Sequence, residues 1–381
     1  MSKNRGYRIL VTGAGGIAGV NFVRALKNSD TKFFIVGTDF NKYHLEFPQV
    51  DKRIITPKHS DPKFIELIKK IVNENNIDFV HPQPASEAKI ISKHRNELNA
   101  EVFLPDDKIL TLDKLETQKI LESKNIAVAK TETIESTNDV KPAFEKLGQE
   151  KIWVRAKDGA GGRLSLLCNN PEEAELWIKL WVKKGQIEHS DFMLQEYLPG
   201  RNISCDSLWN REIHSRSDGL INGFTRERLE YPFKHISPSG ITGTPTVSRI
   251  IEGNKSFELG LDAIKSIDPS PHGSYAVDIK EDENGNPYIT EIDSGKFHTT
   301  TPLWGYAYKK YLKNMIIENK DSKWHDHYNL AWIYTMMAMG VDTNTELHKI
   351  NQMYEYEIYL LRHMDSGVWL WKENNYKLKI L

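Results

Sequence analysis

No apolar run approaches the ~18 residues that a membrane-spanning helix needs, so the sequence is read as a chain that does not cross a membrane. Cysteine is nearly absent: Cys168 and Cys205 are the only two among 381 residues, and they sit in no motif. That argues against a disulfide framework and for two reduced, inert thiols in a cytoplasmic protein. Excess charge is missing as well. Lys and Arg number 51 against 52 Asp and Glu, a net of −1, so nothing marks a nucleic-acid partner. There is no internal repeat and no low-complexity stretch, and Met1-Ser-Lys-Asn-Arg-Gly6 leads into an apolar strand instead of a signal peptide. The length allows two or three packed units with sizeable cores.

The first of these units is α/β. Tyr7 to Val11 reads as a buried strand, followed by the glycine turn Thr12-Gly-Ala-Gly-Gly-Ile-Ala-Gly19 and a helix to Leu26. A second strand spans Phe33 to Val36, an amphipathic helix Pro62 to Val72, and a further strand Asp78 to Pro82. Such βαβ alternation predicts a parallel sheet covered by helices. The glycine turn, with Asp39 placed to meet a ribose hydroxyl, fits a dinucleotide site. It fits equally well a tight strand-to-helix turn with no ligand.

Further on, Gly273 to Asp293 predicts a hairpin, because Asn284-Gly285 is a strong tight-turn signal between alternating apolar runs. Pairing about that turn sums to 569, which sets Asp278 opposite Glu291 and puts Asp293 on the same face. Like charges directly opposite one another are destabilising, so three acids on one face ask for a cation. Oxygen ligands suit a hard ion such as Mg²⁺ held jointly with phosphates. A solvated acidic face is the plainer alternative, and Pro287 points to an edge strand or a looser loop.

Upstream lie Asp113-Lys114 opening a helix, Val154-Arg155 before the loop Gly159-Ala-Gly-Gly162, and Gln195-Glu-Tyr-Leu-Pro-Gly200 at a strand end. The loop lacks the helix and Lys-Ser/Thr of a P-loop. Taken in order with Asp278 and Thr290-Glu-Ile-Asp-Ser-Gly-Lys296, these motifs resemble the ATP-grasp superfamily, over roughly residues 7 to 310. The nearest branch is that of the carbamoyl-phosphate synthase large subunit, but with one ATP-grasp copy and no glutaminase signature.

The resemblance implies a Rossmann-like domain over 1–108, an ATP-grasp small lobe with its flap over 109–190, and a large lobe with the metal site over 191–318. A helical C-terminal tail over 319–381 would follow, capping the active site or forming a homodimer interface. ATP and Mg²⁺ are the implied cofactors, with a small-molecule carboxylate and an amine as substrates. Lys114, Arg155 and the flap amides at Gly161 and Gly162 would hold phosphates, and Glu196 and Leu198 the adenine. Asp278, Glu291 and Asp293 would hold Mg²⁺, Lys296 and Arg228 would be the catalytic residues, and Lys296 would steady the transferred phosphoryl or the acyl-phosphate. Arg226 and Arg228, two apart before the loop Ser237 to Gly243, would meet the carboxylate; surface pairing with Glu227 or Glu230 is the plainer reading.

Three positions depart from the family pattern: Asp293 stands for Asn, Lys296 for Arg, and Asn202 for a ribose-binding Glu that Asp206 would replace. They keep a non-catalytic nucleotide-binding relative in play. An NAD-dependent reductase or epimerase, using Tyr306 and Lys310, is the remaining alternative.

Overall fold

The computed structural model describes residues 6–158, 164–185, 187–212, 219–233, 243–305, 307, 329–341, 343, 357–363, 367–372 and 376–379. The first unit carries a parallel sheet of β1 (Tyr7–Thr12), β2 (Phe33–Asp39), β3 (Lys52–Ile55), β4 (Phe79–Pro82) and β5 (Glu101–Val102), in the order β3-β2-β1-β4-β5. Around it lie α1 (Ile17–Lys27), α2 (Lys63–Glu74), α3 (Ala85–Lys93) and α4 (Asp107–Leu110). Strand order reverses between β1 and β4, and the crevice at the carboxyl ends of such a pair is where open α/β sheets take ligands.

Next comes α5 (Lys114–Ser123), started by a reciprocal capping box in which Asp113 accepts from the Glu116 amide and Glu116 from the Asp113 amide. The small lobe is an antiparallel sheet of β6 (Thr131–Thr133), β9 (Phe192–Glu196), β7 (Ile152–Ala156) and β8 (Leu166–Cys168), in that spatial order. It packs on α6 (Val140–Leu147) and α7 (Pro171–Lys183). Trp177 and Trp181 stack edge to face on that core, as their helical spacing predicts. Helix α5 packs not with this lobe but on the large one, where Leu121 shares a core with Ile203, Val277 and Ile289.

The large lobe is an eight-stranded antiparallel sheet built on β10 (Asn202–Trp209), β11 (Leu220–Glu230), β12 (Val247–Ile251), β13 (Gly273–Glu281) and β14 (Pro287–Ser294), backed by α8 (Asn254–Ile267). Three further strands correct the expectation of a helical tail. A helix, α9 (Leu330–Ala338), is present, but β15 (Tyr359–His363), β16 (Gly367–Lys372) and β17 (Tyr376–Lys379) extend the sheet from β12. The reason is visible in the sequence: Gly-Val-Trp-Leu-Trp-Lys is a short run rich in β-branched and aromatic residues, and Tyr-Lys-Leu-Lys alternates with period two. Much of α9 is buried within this chain: Ile333, Tyr334 and Met336 join Phe22 and Phe79 of the first unit and Leu208 and Phe224 of the large sheet in one core, with Trp332 half-buried against it.

Among the described residues no helix is long and apolar enough to cross a membrane. Cys168 and Cys205 are both free and buried, and burial pushes the Cys168 thiol up to about 12. Glu87, on α3, is 6% exposed, and burial, reinforced by Asp39, pushes its carboxyl up to about 7. The folded chain therefore keeps this proton where the unfolded chain has lost it, so stability falls as pH rises through that window. At ~1.36 kcal/mol per pKa unit the loss is on the order of 3 kcal/mol. Glu87→Gln is expected to flatten the dependence and to melt higher than the parent at about pH 8. Melting curves at two pH values check this, and an unchanged dependence would refute it.

Candidate active site

The three units enclose a cleft of about 850 Å³. Its floor is the hairpin of β13 and β14. Asp278 pairs with Glu291 and Ala276 with Asp293, so the three acids share one face as expected. The turn itself is longer than two residues: Asp282 accepts amides from Asn284 and Asn286, and Glu281 pairs with Pro287. A bulge at Thr290 then restores the predicted register beyond it. Pro287 lies on an edge strand, and the linker at Ala127 and Ala129 bonds to the outer side of Ile289.

Each acid meets a base. Glu291 lies 3.3 Å from Lys114 at the start of α5 and 2.7 Å from Arg155 at the end of β7. Arg155 also donates to the Thr290 carbonyl at the bulge, so it ties the small lobe to the large one. Arg228 on β11 sits 2.5 Å from Asp278. Burial opposes ionisation of Asp278, but Arg228 outweighs it and holds the carboxyl below its usual range. Lys296 and His298 both reach Asp293, at 2.9 and 3.0 Å, and overcome burial to keep it far below the usual range.

One strand over, Arg226 and Asp206 form a buried pair at 3.0 Å, with side chains 2% and 3% exposed. Thr301 and Ser204 also donate to Asp206, and Arg226 donates to Thr300. Surface pairing of Arg226 is thereby excluded; Glu227 pairs with Arg249 instead.

Above the charged floor, Trp153, Leu167 and Leu198 line an apolar slot beside Glu196 and Tyr197. The far end is formed by the loops after β1 and β4, including Gly16, Ile17, Pro84 and Ser86. Gly13 has φ +58° there, and a side chain on it would collide with the Pro84 ring. Asp39 does not reach toward a ribose: its two oxygens accept the amides of Gly15 and Asn41. The glycine turn is thus a tight strand-to-helix connection held by Asp39 that also lines the cleft; Tyr306 and Lys310 lie outside the described residues.

Among the described residues no group of three His, Cys, Asp or Glu side chains converges as a ready metal cage. The donor set is nonetheless all carboxylate, and each acid is neutralised by a cation that a polyphosphate could draw away. That suits Mg²⁺ delivered on phosphates, which takes one or two carboxylates from protein.

No family model matches the chain. A relative, D-alanine–D-alanine ligase B of Clostridium perfringens, is 24% identical over 289 residues, 70% of this chain and 90% of its own length. The L-amino acid ligase of Bacillus licheniformis superposes with a TM-score of 0.61 at 11% identity, over 88% of this chain and 75% of that one. The biotin carboxylase domain of Hydrogenobacter thermophilus 2-oxoglutarate carboxylase, a dimer in complex with MgADP, ADP and bicarbonate, gives 0.60 at 15% identity, over 96% and 74%. The chain has the ATP-grasp fold.

Within the ATP-grasp cleft, Lys114, Arg155, Glu196, Leu198, Arg226, Arg228, Asp278, Glu291, Asp293 and Lys296 line a single cavity, as do His298 and Thr300. Gly161, Gly162 and the stretch Ser237 to Thr242 lie outside the described residues. Asp206 is set behind the residues that line the cavity, where its oxygens meet Arg226, Thr301 and Ser204. Glu196 lines the slot while accepting the Lys130 amide at 2.7 Å.

Two further residues, His298 and Lys280, stand in this floor. His298 donates from Nε2 to Asp293, while Nδ1 lies 3.2 Å from both Arg228 and Ser204. Its partners come from three separate strands, so no local signal marks it. Lys280 lines the cleft two residues beyond Asp278 on the same strand face, and burial holds its amine below the usual range. That spacing was the available signal.

Proposed function

We propose that the chain is an ATP- and Mg²⁺-dependent ligase that joins a carboxylate to an amine. The observation carrying this reading is the paired-charge floor of Glu291, Asp278 and Asp293 with their cations, set against the apolar slot at Trp153 and Leu198. The relatives named above include two ligases, which supports the same chemistry.

The slot takes the adenine, and Lys114 and Arg155 turn from Glu291 to the phosphates. Asp278, Glu291 and Asp293 would hold Mg²⁺, which would supply neutralisation of charge on the terminal phosphates. Arg226, held by Asp206, and Arg228 orient the substrate carboxylate at the far end. A carboxylate oxygen attacks the γ-phosphorus as ADP departs. The amine nitrogen then attacks the acyl carbon, phosphate leaves with the bonding pair, and the amine gives up a proton. Lys296 stabilises the charge on the phosphoryl through both steps, and this is electrostatic rather than covalent work. Lacking the guanidinium fork, it does so as a point charge.

The two unpaired, buried thiols support a cytoplasmic setting. A homodimer is part of the same proposal, and light scattering of the purified chain reads it directly.

The test is phosphate release from Mg·ATP with small carboxylates and amines added in pairs. Release stimulated by one pair, with the matching amide formed, names both substrates. Nucleotide binding without stimulation by any pair would favour a non-catalytic relative.

A further inference from the structure

Lys296 and His298 are carried by a loop that has no ladder of its own, so something else must satisfy its backbone. The partners come from the first unit. Gln83, just past β4, donates Nε2 to the Phe297 carbonyl at 2.8 Å. Asn21, on α1, donates Nδ2 to the Thr299 carbonyl at 2.8 Å. Both side chains are buried, Gln83 at 6% and Asn21 at 2% exposed. Alternate carbonyls are thus clamped from one side while Lys296, His298 and Thr300 reach Asp293 and Arg226 on the other.

The Gln83 amide is itself oriented. Since its nitrogen donates to Phe297, its oxygen must accept, and His81 Nε2 lies 3.1 Å from that oxygen. His81 is fully buried and stacked on Phe22 at 3.8 Å; burial lowers it to about 4, so it is neutral with the proton on Nε2. The Phe297 ring packs among Phe22, His81 and Tyr334 of α9, with the Tyr334 ring edge-on at 5.2 Å. Phe297 is therefore the point where the first unit, the large lobe and the tail meet, one residue from each of the cleft-lining side chains Lys296 and His298.

We propose that Gln83 and Asn21 are positioning residues, a two-amide clamp by which the first unit sets Lys296 and His298 against Asp293. The clamp rests on the ligase reading for its kinetic consequence but not for its geometric one. A displacement of about 1 Å in such a group costs up to ~10²-fold in rate. Gln83→Met removes one donor at similar volume, and Asn21→Leu, which removes the other donor, is the second variant should the first fail to fold. Either variant is expected to lower kcat about 10- to 100-fold with KM for ATP within about threefold, because Lys114, Arg155 and the adenine slot are untouched. The ring resonance of His298, assigned with His298→Gln, is expected to shift in both variants. Unchanged kcat with an unmoved resonance overturns the clamp, as does a rise in KM for ATP that accounts for the whole loss. If the parent ligates no tested pair, the resonance decides alone: a shift keeps the clamp while the ligase reading fails, and no shift removes the clamp.

Discussion

Glu291→Ala is expected to lower Mg·ATP turnover by about 10²–10³-fold, the range found when one preorganised electrostatic group is removed from an active site. Two cations from different parts of the fold, Lys114 at 3.3 Å and Arg155 at 2.7 Å, converge on this one carboxylate. Without it, both lose the group that aims them into the cleft, and Mg²⁺ loses an oxygen ligand. Asp278→Asn should act in the same direction by a different route: Arg228, 2.5 Å away, loses its counter-charge and its orientation. Glu291 is 21% exposed and its partners Lys114 and Arg155 only 11% and 12%, so its removal also leaves two largely buried cations uncompensated, and a lowered melting temperature is expected beside the loss of rate. Steady-state phosphate release, with melting temperatures measured in parallel, checks both variants. Turnover within about threefold of the parent in both, with the fold intact, would falsify the assignment of this floor as the ATP site.

The legibility of that floor in the sequence was partly fortunate. Asn284-Gly285 was rightly taken as the turn, but Asp282 gathers the amides of Asn284 and Asn286 and opens it into a five-residue loop. That half-step of register is undone by the bulge at Thr290, so Asp278 still faces Glu291. Motifs in which residue type and spacing both carry the chemistry survived: the capped start of α5 at Lys114, the strand end at Arg155, the acids of the hairpin. What the sequence hid was of two kinds. Pairings across strands, such as Asp206 with Arg226 or His298 with Ser204, depend on which strand lies beside which, and no local pattern states that. The tail reads as helix because Met and aromatic residues dominate around α9, whereas β16 is a short apolar run that periodicity alone does not separate from helix, and only the four residues of β17 alternate with period two. The glycine turn was ambiguous for a physical reason: glycines that let a ligand approach and glycines that let Pro84 approach look alike in a sequence.

The largest stability effect should come from the buried pair beneath the acceptor end. Arg226 and Asp206 are almost wholly enclosed and 3.0 Å apart. Burial alone holds the guanidinium below its ordinary value, and Asp206 offsets that penalty. Arg226→Met is therefore expected to cost ~3–5 kcal/mol, because it strands a buried carboxylate. The double variant Arg226→Met/Asp206→Leu should regain much of that loss, since replacing both members of a buried pair by apolar groups is often near neutral. Thr301 and Ser204 then lose an acceptor, which keeps the recovery short of complete. Chemical denaturation of the four members of this cycle gives the coupling energy directly. The same double variant separates support from function. If Arg226 also orients the carboxylate substrate, the refolded double variant stays impaired, with a raised KM for that substrate and little change in KM for ATP. Recovery of stability together with full activity would assign the pair to the fold alone and leave the anion to Arg228.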